Sequence, residues 1–299
     1  MLACLQVAAD TNMTFAIAGA TGRLRPLIRV LLEPGHHVRA LTRTGESPIA
    51  SELRSLGAEI WRGDFDEPET LAAAATGADA LFAAGTAHRV GPDGEMRHGV
   101  AAADAAKESG VPHFVYVSGS GAGADSRVPL FDAKRAVEAH IRSLELPYTI
   151  LAPVYFMENL FNPWNRPALA AGTFPSPVSV RRPLQQVAIL DVAVFTRMVL
   201  ERPREFLGRR VEIASDELSA SAAAHALSRA LGRHFEARRV SLESLPDGLA
   251  RLFDWLERIG DQVDIATLHA RYPEVGWHSF ERWVEAQDWE RLANPGRAA

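Results

Sequence analysis

The sequence has one cysteine, few lysines and no long hydrophobic run. Cys4 is the only cysteine among 299 residues, which excludes an intramolecular disulfide and a cysteine metal cluster. Lys107 and Lys134 are the only lysines, and the basic residues form no long run, which argues against nucleic-acid binding through a basic surface. No apolar stretch reaches the length of about 20 residues that a membrane helix needs, and the first residues lack the basic start of a secretory signal. We therefore predict a cytoplasmic protein that does not bind membranes.

The remaining composition is that of a globular protein. Apolar residues make up 47% of the chain, charged residues 23%, and the formal net charge is −5. These values exclude a disordered or collagen-like chain, and the length favours one large domain or one domain with a smaller partner. Residues 1–12 show no periodicity and precede a second methionine, Met13. We predict that they form a disordered extension, with an upstream start as the alternative.

Short apolar segments alternate with helical patterns through the first half of the chain. Strands are predicted at 14–18, 37–42, 59–62, 79–84, 113–118 and 148–152, and helices at 26–33, 48–56, 67–76, 95–109 and 131–144. This rhythm is typical of βαβ units, whose right-handed crossovers give a parallel sheet with helices on both faces. The predicted fold class is therefore α/β, a doubly wound parallel sheet of the Rossmann type.

The alternation ends after residue 153. The segment 162–186 contains five prolines and is predicted to form loops. Helices are predicted at 188–201, 217–231 and 246–259, and a late strand near 210–215 is predicted to return to the sheet. We assign residues 13–155 to the sheet domain. Residues 156–209 and 216–299 are assigned to a smaller, mostly helical C-terminal region that closes a cleft.

A turn with two glycines joins the first predicted strand to the first predicted helix. Gly19 permits the sharp turn, and Gly22 lets a phosphate approach the backbone amides at the helix N-terminus. The domain is therefore predicted to bind the pyrophosphate of NAD(P), whereas the ordinary structural interpretation is a plain βα turn. Arg25 replaces the usual third glycine and Pro26 follows it. Whether Arg25 pairs with a cofactor phosphate or narrows the site stays open.

Two positions near the ends of the second and third strands bear on the choice of cofactor. Arg43 lies 24 residues after Gly19, close to where NAD-binding folds place a carboxylate. An arginine there can pair with the 2′-phosphate of NADP, so we predict that NADP(H) is preferred and NAD(H) is the alternative. The structural alternative is a solvated surface arginine. Asp64 is expected either to contact the adenine or to cap the helix near Pro68.

Several segments of the chain resemble the NmrA-like family of atypical short-chain dehydrogenases/reductases. They are AGATGR (18–23), GHHVRALTR (35–43), GAEIWRGDFDEPETL (57–71), GVPHFVYVSG (110–119) and FDAKRAVEAHIRSLELPYTILAPVYFMENLF (131–161). The resemblance implies an NAD(P)-binding Rossmann domain and a small C-terminal domain over a cleft. The family contains reductases of quinones and related acceptors. It also contains redox sensors that bind the dinucleotide without turnover.

The resemblance implies roles for individual residues. The positions that match the family's cofactor site are Gly19, Thr21, Gly22, Arg23, Leu24, Arg43, Asp64, Phe65, Ala84, Gly85, Lys134, Pro153, Tyr155 and Phe156. Among them, Lys134 matches the lysine that grips the ribose hydroxyls, and Ala84 and Gly85 are expected to line the nicotinamide ribose. The segment 153–156 is expected to pass the nicotinamide.

The chemistry implied by the resemblance has one departure from the usual pattern. Short-chain dehydrogenases have a proton-donating tyrosine four residues before the lysine, and here that position is Leu130. Carbonyl reduction by a Tyr–Lys pair is therefore disfavoured, whereas a reduced quinone can take protons from water. The candidate catalytic residues are Lys134, Ser118 and Tyr155. No metal is predicted, because no histidines stand at ligand spacing around a carboxylate.

Three functions remain open at this point. The first is an NADPH-dependent oxidoreductase that transfers hydride to a quinone-like or other small conjugated acceptor. The second is a non-catalytic NADP(H) redox sensor that acts through a regulatory protein partner. The third and weakest is a scaffold that binds no cofactor because Arg25 and Pro26 disrupt the turn. A homodimer is compatible with each of them.

Overall fold

The computed structural model describes residues 12–85, 87–123 and 125–289. Apart from Asn12, the predicted N-terminal extension lies outside these residues. In the described part of the chain, no helix combines the length and the hydropathy that crossing a membrane requires.

Twelve strands are present in the described residues. They are β1 (Thr14–Ala18), β2 (His37–Thr42), β3 (Glu59–Arg62), β4 (Ala80–Ala84), β5 (Phe114–Val117), β6 (Tyr148–Pro153), β7 (Tyr155–Phe156), β8 (Thr173–Ser176), β9 (Pro183–Val187), β10 (Arg209–Ile213), β11 (Asp216–Ser219) and β12 (Glu236–Arg239). The central sheet has seven strands in the order β10-β6-β5-β4-β1-β2-β3, and every pair in it is parallel. This confirms the predicted doubly wound sheet.

The helices cover both faces of the sheet. They are α1 (Pro26–Leu32), α2 (Pro48–Ser55), α3 (Pro68–Ala75), α4 (Ala87–Ser109), α5 (Pro129–Ser143), α6 (Arg166–Ala170), α7 (Ile189–Glu201), α8 (Pro203–Phe206), α9 (Ala220–Leu231), α10 (Asp247–Arg258), α11 (Ile265–Arg271) and α12 (Phe280–Glu285). Buried side chains of α1, α2 and α7 pack on one face of the sheet. Buried side chains of α3, α4 and α5 pack on the other. The inner strands of the sheet are thus covered by apolar helix faces, which explains their apolar runs in the sequence, whereas the edge strands β3 and β10 are only partly buried.

The strand order reverses beside β1, because β2 pairs with one of its edges and β4 with the other. In open parallel sheets, ligands bind at such a reversal, outside the carboxyl ends of the strands. The residues that follow β1 and β4 therefore define where a site is expected.

Three of the predicted elements were wrong in extent or type. The predicted loop 162–186 contains β8 and β9, and the start of the predicted helix 217–231 is strand β11, which pairs antiparallel with β9. Long-range pairing decides these short strands, so local periodicity did not reveal them. The predicted helix 95–109 begins a few residues earlier, after a break at Gly91, where φ is 69°, that separates it from the short helical segment at the start of α4. The late strand was predicted correctly, since β10 pairs in parallel with β6.

A buried carboxylate at the start of α7 joins the C-terminal segment to the sheet domain. Asp191 is 1% exposed. It accepts hydrogen bonds from Nδ1 of His278 at 2.5 Å, from the His278 amide at 2.8 Å and from Oγ of Ser215 at 2.5 Å. The hydrogen bond that the His278 ring donates to Asp191 raises the pKa of His278 above the ordinary value of 6.5. Protonated His278 therefore stabilises the folded chain.

We expect the His278→Ala variant to lose about 1–2 kcal/mol of unfolding free energy at acidic pH, the scale of a charge-assisted hydrogen bond. A histidine whose pKa is raised by folding contributes its full stabilising free energy below the pKa that it has in the unfolded chain. That contribution disappears as the pH rises through the higher pKa of the folded chain. The stability difference between wild type and variant should therefore shrink as the pH rises above 6.5, the ordinary pKa of a histidine. Denaturant unfolding at several pH values measures it. His225→Ala, at an exposed position of α9, is the control, and a constant difference for His278→Ala would contradict the assignment.

Candidate functional site

A cleft of about 370 Å³ opens at the carboxyl ends of β1, β4, β5 and β6. Its volume is in the range of small-molecule and cofactor sites. The predicted site residues that line it are Gly19, Thr21, Gly22, Arg23, Leu24, Ala84, Gly85, Ser118, Lys134, Pro153, Tyr155 and Phe156. Residues of α10 and of the loop after it form the opposite wall. The fold thus brings most of the predicted positions together at the strand reversal.

The glycine turn has the close backbone approach that a phosphate site requires. Gly19 has φ +87°, and a Cβ atom there would lie 2.9 Å from the Ala84 carbonyl oxygen. The Gly22 amide donates to the Gly19 carbonyl at 2.8 Å, which closes the turn just before α1. Side chains are therefore excluded where the turn meets the end of β4. This cradle fits the pyrophosphate of a dinucleotide.

The structure answers the question left open for Arg25. Its guanidinium pairs with Glu52 of α2 at 3.2 Å, and Arg25 is not among the residues that line the cleft. Pro26 occupies the first turn of α1, where the missing N–H leaves no hydrogen bond unmade. Arg25, which stands in place of the usual third glycine, therefore does not narrow the cleft.

Arg23 connects the glycine turn to the C-terminal region. Its two terminal nitrogens donate to Oδ1 of Asn159 and to Oδ1 of Asn162, both at 2.5 Å. Asn159 lies in the short 3₁₀ segment Met157–Phe161 and lines the cleft. Arg23 thus fixes the segment after β7 against the turn, so that both sides of the cleft are held at a set distance.

Lys134 of α5 forms an ion pair inside the cleft. Its Nζ lies 2.6 Å from Oε1 of Glu95 and 3.2 Å from the Val117 carbonyl oxygen. The Glu95 side chain is fully buried, and that of Lys134 is 11% exposed. A Cβ atom on Gly85 would lie 1.8 Å from Oε1 of Glu95, so Gly85 is the residue that makes room for this carboxylate. The Lys134 ammonium has three N–H donors, and Glu95 and the Val117 carbonyl accept two of them. The third N–H is left for a ribose hydroxyl.

Sequence reasoning missed Glu95 as a site residue. Glu95 follows the break at Gly91 in α4. Nothing in the sequence around it distinguishes it from a solvent-exposed acidic residue. Burial, together with the nearby Glu95 carboxylate, raises the pKa of the Tyr116 phenol well above its ordinary value. Tyr116 is 1% exposed and belongs to the core on one face of the sheet.

The two other candidate catalytic residues line the cleft but are poor proton donors there. Oγ of Ser118 donates to Oε1 of Glu138 at 2.5 Å, and Ser118 is buried. Arg210 of β10 also pairs with Glu138, at 3.1 Å, which completes a buried network. Burial raises the pKa of Tyr155 to about 12. Catalytic roles for Ser118 and Tyr155 remain predictions, and the geometry gives neither residue an available acidic proton near neutral pH.

Three predicted cofactor residues lie outside the cleft, at the ends of the next two strands of the same sheet edge. Arg43 follows β2, is exposed, and forms no hydrogen bond or ion pair with the rest of the described chain. Oδ1 of Asp64 accepts from the Asp66 amide at 3.1 Å, and no side chain caps α3, so the capping interpretation of Asp64 is wrong. Phe65 stacks on His98 with ring centroids 5.2 Å apart. These positions extend the site from β1 toward β3.

A carboxyl group from the C-terminal region also reaches the cleft. Asp261 lies in the loop between α10 and α11 and lines the cleft with Leu252 and Leu256 of α10. Burial raises its pKa to about 6, with the Glu212 carboxylate adding to the rise and a hydrogen bond from Ser120 opposing it. Sequence reasoning missed Asp261, because no motif surrounds it and only the fold carries its loop to the sheet edge.

Comparisons with known proteins agree with this architecture. The family model described as the NmrA-like family matches residues 11–281. The NAD(P)H azoreductase of Xenophilus azovorans is 28% identical over 269 residues, which cover 87% of this chain and 91% of that protein. The solved structure of NmrA, a negative transcriptional regulator, in complex with NADP has a TM-score of 0.76 at 23% identity and covers 95% of this chain and 98% of that chain. The NADPH-dependent quinone oxidoreductase of Escherichia coli complexed with NADPH has a TM-score of 0.75 at 23% identity, covering 90% of this chain and 98% of that chain.

Proposed function

The chain belongs to the NmrA-like family, and we propose that it is an NADPH-dependent oxidoreductase that transfers hydride to a quinone-like or other small conjugated acceptor. One observation carries the proposal: a cleft at the strand reversal joins the glycine turn, a lysine whose side chain is 11% exposed and several apolar side chains. The azoreductase and quinone oxidoreductase relatives support the same class of reaction.

The residues of the cleft fit the successive parts of a dinucleotide. The turn from Gly19 to Leu24 would hold the pyrophosphate, and Lys134 would hold the nicotinamide ribose. Arg43 would pair with the 2′-phosphate, and its exposure at the end of β2 without a partner among the described residues supports this role. When bound, the cofactor supplies the hydride, and the protein contributes binding, orientation and exclusion of water.

The remaining wall of the cleft suits a flat, conjugated acceptor. Leu130 and Phe131 of α5 face the same space as Leu252 and Leu256 of α10. Leu130 occupies the position of the proton-donating tyrosine of ordinary carbonyl reduction. We therefore propose acceptors that delocalise the incoming charge. Hydride transfer to such an acceptor depends mainly on placement against the nicotinamide.

The test is to follow NADPH oxidation with a panel of quinones, enones and azo dyes. We expect turnover with at least one conjugated acceptor and little with simple aldehydes or ketones. The Glu95→Gln/Lys134→Met double variant is the matched comparison, because it removes the donor to the ribose without leaving a charged Glu95 carboxylate beside a neutral side chain. Tight NADPH binding without turnover of any acceptor would refute the oxidoreductase.

That outcome would support the second candidate, a redox sensor. Leu130 in place of the proton-donating tyrosine favours it, and NmrA, a structural neighbour, is described as a negative transcriptional regulator. The sensor would act through a regulatory protein partner, and a homodimer is compatible with either function. A cytoplasmic location stays a prediction.

A further inference from the structure

The loop after α10 presents Asp261 to the acceptor side of the cleft. Asp261 lines the cleft together with Ser120, Leu130 and Leu256. Ser120, in the segment that follows β5, lowers the pKa of that carboxyl group, and its own hydroxyl donates to Oε1 of Glu212 at 3.5 Å. A half-buried carboxyl group that lines the cleft together with leucine side chains requires a reason for its place there.

Long-range hydrogen bonds hold this loop on both sides of Asp261. Arg182, just before β9, donates from Nε to the Leu256 carbonyl at 3.0 Å and from a terminal nitrogen to the Ile259 carbonyl at 2.9 Å. Gly260 then turns the chain with φ +73°. On the other side, Gln185 of β9 exchanges two hydrogen bonds with the Val263 backbone, at 3.0 and 2.8 Å. The position of the Asp261 carboxyl is therefore fixed by the fold.

The charged groups around Asp261 come from several elements. Glu212 of β10 is the nearby like charge, and its carboxylate is paired with Arg210 at 2.7 Å. Arg182 is occupied by the α10 carbonyls, and Lys134, across the cleft, is paired with Glu95. No cation among the described residues forms an ion pair with Asp261. Burial has the largest effect on the Asp261 carboxyl group and raises its pKa to about 6. Such a pKa suits a group that donates a proton near neutral pH.

We propose that Asp261 is a catalytic acid that protonates the reduced acceptor, taking the place of the tyrosine that is absent at position 130. The inference rests on the proposed oxidoreductase function. A bound NADPH would supply the hydride, which would form a new bond at one end of the acceptor's conjugated C=C–C=O or N=N system. The electron pair moves to the terminal heteroatom, which takes the proton from the Asp261 hydroxyl. The carboxylate then regains a proton from water at the mouth of the cleft.

The test compares Asp261→Asn with the wild type. The amide has nearly the same shape but no acidic proton, so we expect kcat for the acceptor to fall about 10²–10⁴-fold, the range for loss of a general acid. The wild-type rate should decline as the pH rises above about 6, and that limb should be absent in the variant. Because the hydrogen bond from Ser120 lowers the pKa, Ser120→Ala should move the limb to higher pH. Asp254→Asn, a change on α10 outside the cleft lining, is the matched control.

A second readout does not depend on turnover. Infrared titration of the cofactor-free protein should show a protonated carboxyl band that disappears above about pH 6 and is missing from Asp261→Asn. NADPH affinity should be the same in both proteins. If Asp261→Asn turns over with the wild-type rate and pH profile, the catalytic role of Asp261 is overturned, whereas the proposed oxidoreductase function is unaffected. Absence of turnover in the wild type would overturn both.

Discussion

Replacing Lys134 with alanine is expected to lower the free energy of unfolding by about 3–5 kcal/mol, the cost of removing one partner of a buried ion pair. The reason lies in Glu95, whose side chain is fully buried and 2.6 Å from the lysine nitrogen. Without the ammonium, its negative charge stays in the protein interior and loses the cation that lies 2.6 Å away. Denaturant unfolding measures the loss, and Lys107→Ala, at an exposed position of α4, is the control.

A double variant separates the two roles of Lys134. In Glu95→Gln/Lys134→Met neither buried side chain is charged, so we expect most of the lost stability to return. Cofactor affinity should not return, because the donor to the ribose is still missing, and the expected loss is about 1–3 kcal/mol of binding free energy. If Lys134→Ala unfolds like the wild type, the ion pair is not buried. If the double variant binds NADPH normally, Lys134 does not belong to the cofactor site.

Replacing Arg43 with alanine is expected to weaken NADPH binding about 10–100-fold and to leave NADH binding unchanged. The guanidinium is exposed at the end of β2 and forms no ion pair with the described residues, so no internal partner is lost in the variant. Its expected partner is the 2′-phosphate, which only NADPH carries, and a charge-assisted hydrogen bond of this kind contributes about 1.5–3 kcal/mol.

The control for Arg43 is Arg62→Ala, since Arg62 ends the neighbouring strand β3 and is already paired with Glu67 at 2.6 Å. Isothermal titration of each variant with both nucleotides measures the preference. Equal losses for NADPH and NADH, or no loss for either, would remove Arg43 from the 2′-phosphate position.

The parts of the fold that the sequence predicts well are those set by local patterns. Strand β1 matches its prediction at both ends, because its buried apolar run stops at the glycine turn. Strand β11 was missed, because four residues become a strand only by pairing with β9, and the partner of Asp216 is Gln186. Local propensity says little about such a segment.

The same distinction applies to the site. Gly19 and Gly22 were predicted because the turn's geometry depends on adjacent residues. Glu95 was not, since it lies 39 positions from Lys134 in sequence and only the packing of α4 against α5 brings the two together. Asp261 is placed by Gln185, which bonds a residue 78 positions away. Contacts across such distances carry no signal in a single sequence.

The central claim is that the glycine turn and its cleft hold a nicotinamide dinucleotide. Titrating NADPH and NADH separately into the purified protein, with Gly19→Ala as a second sample, tests it most directly. We expect saturable binding of both nucleotides to the wild-type protein, with NADPH bound more tightly. We expect binding to be lost in Gly19→Ala, because the added Cβ would lie 2.9 Å from the Ala84 carbonyl oxygen. Absence of saturable binding of either nucleotide to the wild-type protein would contradict it.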